Sequence, residues 1–75
     1  MTLSNIIVRL YKVKTITVLE CVHELETGKE EWNEITTDSA NVYDAFTYDQ
    51  LYSSKLVMFE ATKKNAIKIW TFRDV

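Results

Sequence analysis

The chain contains no proline, one glycine (Gly28), one cysteine (Cys21) and one histidine (His23) in 75 residues. With so few breakers, most of it is expected in regular structure joined by short turns. A single cysteine forbids an intramolecular disulfide. A small secreted domain normally needs such staples, so a reducing, cytoplasmic setting is expected. Cys21 and His23 fall two apart, which would place a thiol beside a base on one strand face. A structural zinc site needs four ligands, and the chain holds no further cysteine or histidine. A buried cysteine and a half-buried histidine are the plainer account of the pair. No glycine-rich phosphate-binding loop exists, and no familiar nucleophilic arrangement is available. The expectation is a non-enzymatic protein with no catalytic residue, metal or cofactor.

Long apolar runs are also missing. No uncharged stretch approaches the roughly 18 residues of a membrane span. The start, Met1 to Asn5, lacks the basic region of a signal peptide, and Arg9 interrupts the apolar run that follows. A soluble intracellular protein without membrane contact is expected.

What is present suffices for a core. Apolar residues make up 47 % of the chain, nine of them aromatic, which is too many for disorder. Residues 1–75 read as one domain, near the lower size limit for folding alone. Residues 5–13 fit two patterns. Leu3, Ile6, Ile7, Leu10 and Val13 make a helical stripe with Ser4 as N-cap. Ile6, Val8 and Leu10 alternate as in a strand. The β-branched content and the lack of a helix stop favour a strand, running as one bent element into residue 25.

Residues 15–25 alternate with Ile16, Val18 and Val22 on one face and Leu19, Cys21, His23 and Leu25 on the other. Both faces are partly apolar, as in a central strand. Gly28 suits a three-residue turn with positive φ and a G1-type bulge, and Glu30 to Thr37 forms the return strand. Asp38 or Ser39 caps a helix running through Val42, Tyr43, Phe46 and Leu51. Thr47 and Gln50 have capping-box spacing, so a second short helix beginning near Tyr48 fits equally well. Tyr48 and Tyr52 share one face of that helix, where packing on the sheet is the plainer account and a partner groove the alternative. Residues 55–62 form a strand with Val57, Phe59 and Ala61 on one side. Asn65 turns the chain, and the last strand sets Ile67 and Ile69 against Trp70 and Phe72. The fold class is α+β: one small domain, an antiparallel four- to five-stranded sheet with one kinked or split helix on one face, in the order β(β)β–α–ββ.

Charge is segregated. Residues 20–38 hold seven acids against Lys29, for a net −6, while the rest of the chain is net +4. The first hairpin is thus an acidic projection on a mildly basic body. Glu24, Glu26, Glu30, Glu31, Trp32 and Glu34 are the candidate partner-binding residues. Acids of this kind steer encounter with a basic surface, and tryptophan is favoured at interface centres. If Glu30 and Glu34 are exposed, Trp32 shares their face. The plainer alternative is a solvated hairpin whose like charges keep sheet edges apart.

Lys63, Lys64, Lys68 and Arg73 interleave with Trp70 and Phe72, a pattern that can grip single-stranded nucleic acid. The patch is short, the protein is acidic overall and no ribonucleoprotein motif accompanies it. The expected function is therefore a small protein-binding module, an inhibitor or antitoxin-like factor that occludes a basic surface on a larger nucleic-acid-handling protein. Nucleic-acid binding and a homodimer through the sheet's open face are the alternatives.

Overall fold

The computed structural model describes residues 1–75. The elements are α1 (Leu3–Ile7), β1 (Thr15–His23), β2 (Glu30–Thr37), α2 (Val42–Ala45), α3 (Tyr48–Ser53), β3 (Lys55–Lys63) and β4 (Ala66–Asp74). The four strands form one sheet in the order β2-β1-β4-β3. The α+β class expected from the sequence is what the chain adopts, but the sheet is mixed rather than antiparallel. Each hairpin is antiparallel within itself, and the two join through a parallel β1–β4 pair.

The parallel pairing follows from where the helices travel. β2 ends at Thr37, level with Ile16 at the start of β1, whereas β3 begins at Lys55, opposite Phe72 near the end of β4. Residues 38–54 must therefore climb the length of the sheet before β3 can descend. They do so along one face, as the two short helices α2 and α3. β3 then runs the same way as β2, and β4 the same way as β1. An antiparallel β1–β4 contact would need this crossover to be absent.

The N-terminal segment is a helix, not the strand favoured by its β-branched residues. Leu3, Ile6, Ile7 and Leu10 are all buried in the core, so tertiary burial of a helical stripe overrides local propensity. The N-cap is Thr2 rather than Ser4. Asn5 Oδ1 accepts a hydrogen bond from the Thr2 backbone N–H at 2.8 Å. No glycine is needed to end the helix, because Arg9 and Leu10 donate to the carbonyls of Ile6 and Ile7 at 3.0 Å each, tightening the last turns. At the start of α1, the Leu3 N–H donates to the Ser54 carbonyl at 3.0 Å and the Leu56 N–H to the Met1 carbonyl at 2.8 Å, tying the N-terminal segment to the edge of β3.

Other sequence signals are realised in place. Gly28 has φ 72° and Asn65 has φ 61°, both left-handed. The first turn is longer than three residues: Gly28 donates to the Glu24 carbonyl and Glu24 to the Lys29 carbonyl, each at 2.8 Å. Thr47 and Gln50 form a reciprocal capping box, with Gln50 N to Thr47 Oγ1 at 3.2 Å and Thr47 N to Gln50 Oε1 at 2.8 Å. Asp38 does not cap α2, whose N-cap is Asn41. Its Oδ1 instead accepts from the Asn41 backbone at 2.9 Å and side chain at 3.0 Å. These bonds hold the Asp38 carboxyl below the usual carboxylate range.

All three helices cover one face of the sheet. Leu3, Ile6, Ile7 and Leu10 from the N-terminal segment meet Val42, Phe46 and Leu51, with Ile16, Val18 and Ile69 beneath them. A bulge at Val57 shifts the register of β3 between Leu56 and Met58. The inward row of that strand is consequently Leu56, Phe59 and Ala61 rather than Val57, Phe59 and Ala61.

Candidate interaction surface

Strand alternation sends the other half of the sheet's side chains to the face that no helix covers. Register assigns them in rows running from β2 through β1 and β4 to β3. Glu34, Leu19, Trp70 and Met58 make one row, and Trp32, Cys21, Phe72 and Lys55 the next. Thr36, Thr17, Lys68 and Glu60 lie below these rows; Glu30, His23 and Asp74 lie above them. The centre is apolar and the margins are charged.

Some of those charges are already matched. His23 Nδ1 lies 3.0 Å from Asp74 Oδ1, and its ring stacks on Phe72 with centroids 6.0 Å apart. The Lys68 ammonium sits 5.3 Å from the Trp70 ring centroid, across the strand from Glu60. Glu30 and Glu34 on β2 and Lys55 on β3 make no ion pair. Cys21 is buried, and that burial pushes its thiol up, helped by the neighbouring Glu30 carboxylate.

β2 is an edge strand, and Glu30, Glu31, Trp32, Asn33 and Glu34 are all exposed. Trp32 keeps 61 % of its surface accessible and shares the open face with Glu30 and Glu34. Glu31 points to the opposite side of the strand, 3.7 Å from the Lys29 ammonium. Glu26 lies in the exposed turn, and Glu24 is half-buried at its base. The six candidate residues thus occupy the turn, the edge and both sides of one strand.

Glu20, counted with these acids by position, leaves the projection. Its side chain points beneath the helices and is 1 % exposed. Its carboxylate accepts from Ser54 Oγ at 3.1 Å, and from Gln50 Nε2 and Arg73 at 3.4 Å each. This also removes Arg73 from the C-terminal basic set. Lys63 ends β3 and Lys64 lies in the turn, Lys68 rests on Trp70 and Arg73 is on the other face. Of the bases expected to grip nucleic acid, Arg73 does not share the face of Lys68.

The tyrosines of the crossover are not packed on the sheet. Tyr43, Tyr48 and Tyr52 are 52 %, 76 % and 51 % exposed, and Tyr48 and Tyr52 rest against each other with ring centroids 4.6 Å apart. Tyr43 and Tyr52, with Asn5, Val8 and Arg9, line a cleft of about 410 Å³. The spacing of Tyr48 and Tyr52 was the only sequence signal pointing there. No helix is long and apolar enough to cross a membrane. No family model, no curated protein and no solved structure matches the chain.

Proposed function

We propose that this is a non-enzymatic protein-binding module of the inhibitor or antitoxin-like kind, acting in the cytoplasm. Its acidic hairpin would occlude a basic surface on a larger, nucleic-acid-handling protein. The observation that carries this reading is the exposure of Trp32 on a free edge strand, between Glu30 and Glu34. A tryptophan costs little conformational entropy to order, and it anchors an interface while surrounding charges select the partner. Glu24, Glu26 and Glu31 extend the acidic field to the turn and the far side of β2. Like charges along the edge also discourage pairing with a second β2.

The test is a charge reversal. Glu30→Lys, Glu31→Lys and Glu34→Lys together alter three exposed side chains and leave the core intact. Wild type is expected to retain a basic nucleic-acid-handling protein in a salt-sensitive way, and the triple variant to release it while keeping its circular dichroism. Equal retention by both overturns the reading.

A further inference from the structure

The centre of the open face is apolar, with Leu19, Cys21, Trp70 and Phe72 on β1 and β4 and Met58 beside them still 49 % exposed. Here α1, α2 and α3 cover one face and nothing in the chain covers the other. We infer that a second copy of this chain covers it, related by a two-fold axis lying between β1 and β4 and parallel to them.

The rows select this axis over its alternative. An axis across the strands would stack β2 on β2, setting Glu30 and Glu34 of the two copies against each other. An axis along the strands lays β1 on β4 of the second copy and β2 on β3. Leu19 then meets Trp70, and Cys21 meets Phe72, each contact occurring twice. At the margins, Lys55 of one copy falls on the row of Trp32, between the rows of Glu34 and Glu30 in the other. Glu30, Glu34 and Lys55 form no ion pair within the chain, and the symmetry brings opposite signs together at both ends. Aligned sheets pack about 10 Å apart, close enough for these side chains to interdigitate.

The pairing goes beyond the function proposed above and does not depend on it, but Glu30 and Glu34 belong to both surfaces, so the triple reversal above acts on both. Both turns project from the same end of the dimer, since this axis preserves strand direction. Glu26 and Glu31 stay outside the covered layer, whereas Trp32 lies at its rim. Reversal at Glu26 and Glu31 therefore probes partner binding alone, and reversal at Lys55 probes the dimer alone.

Sedimentation equilibrium on the full chain tests the inference. Wild type is expected at twice the 8.8 kDa chain mass. Glu34→Lys and Lys55→Glu, both at exposed positions, are each expected to dimerise about tenfold more weakly, because each sets like charges together twice. Mixing the two variants restores an opposite-sign contact between positions 34 and 55 at both margins, so the mixture should associate more tightly than either variant alone. A wild-type monomer at millimolar concentration overturns the inference. So does a dimer that neither substitution weakens, which would use another surface, or a mixture that stays dissociated, which would exclude this axis.

Discussion

The Glu20 carboxylate and the Arg73 guanidinium, 53 residues apart in sequence, meet at 3.4 Å beneath α3. They lie on adjacent central strands, and Ser54 and Gln50 bring the end of the crossover onto the same carboxylate. One buried acid thereby ties α3 to β1 and β4. Two groups nearby go unsatisfied: Thr71 Oγ1 and Arg73 Nε have no hydrogen-bond partner.

Breaking this pair should cost more from the arginine side. Arg73→Met leaves a fully buried carboxylate with only neutral donors, and a stranded buried charge costs about 3–5 kcal/mol. Glu20→Gln keeps an acceptor for Ser54, and the Arg73 side chain retains 17 % exposure through which to reach water. Urea unfolding should therefore rank Arg73→Met well below Glu20→Gln. It should also place the double variant above the Arg73→Met single, because that variant buries no unpaired charge. The opposite ranking would remove the ion pair from the account of stability.

Gly28 gives a smaller and sharper effect. Its φ is 72° and a Cβ added there meets no atom within 4 Å, so any cost of substitution is backbone strain alone. Gly28→Ala should lower stability by about 1 kcal/mol, and Gly28→Asn by less, since asparagine tolerates the left-handed region. Equal stability of the alanine variant in thermal unfolding would contradict the turn.

The capping box at Thr47 accounts for the division of the crossover into two helices. Thr47→Ala removes the acceptor for Gln50 N and should cost about 1 kcal/mol. Hydrogen exchange should show the loss concentrated in α3, because β1 and β4 are held by their own ladder.

The signals that could be read in the sequence were those carried by one residue or one short spacing: Gly28, Asn65, the Thr47–Gln50 box, and the alternation dividing Ile67 and Ile69 from Trp70 and Phe72. Pairing between non-consecutive strands leaves no such mark, so the parallel β1–β4 contact did not show. The helix at Leu3–Ile7 was obscured because Ile6, Ile7 and Val8 satisfy both periods, and only burial decides between them. Glu20 misled in another way. Its place in a run of acids hid the alternation that carries it inside with Ile16 and Val18. Trp32 sits on the face that its spacing from Glu30 and Glu34 implied.

Asp38 should leave a mark on acid stability. Hydrogen bonds from Asn41 hold its folded pKa below the ordinary value. Its contribution is present above the unfolded pKa and fades as pH falls through the folded one. Asp38→Asn should lose stability at neutral pH and show a flatter acid limb than wild type. Denaturant midpoints measured from pH 7 down to pH 2 check both features, and parallel curves would show that the turn adds no pH dependence.

Cys21 reports on the open face. Burial and the Glu30 carboxylate raise its pKa, so less thiolate is present at pH 8 than in an ordinary cysteine, and thiolate is the species that alkylates. Iodoacetamide should therefore modify the folded protein much more slowly than the urea-unfolded chain. Glu30→Gln should quicken the reaction by removing the carboxylate's contribution while leaving burial in place. The linkage has a definite sign. A thiol with a raised folded pKa contributes stability below the unfolded value and loses it as pH rises through the folded one. Wild type should therefore weaken above pH 9 more than Cys21→Ala does. If the rate for wild type matched that of the unfolded chain, Cys21 would have to be open to solvent, and the row it shares with Trp32 and Phe72 would need redrawing.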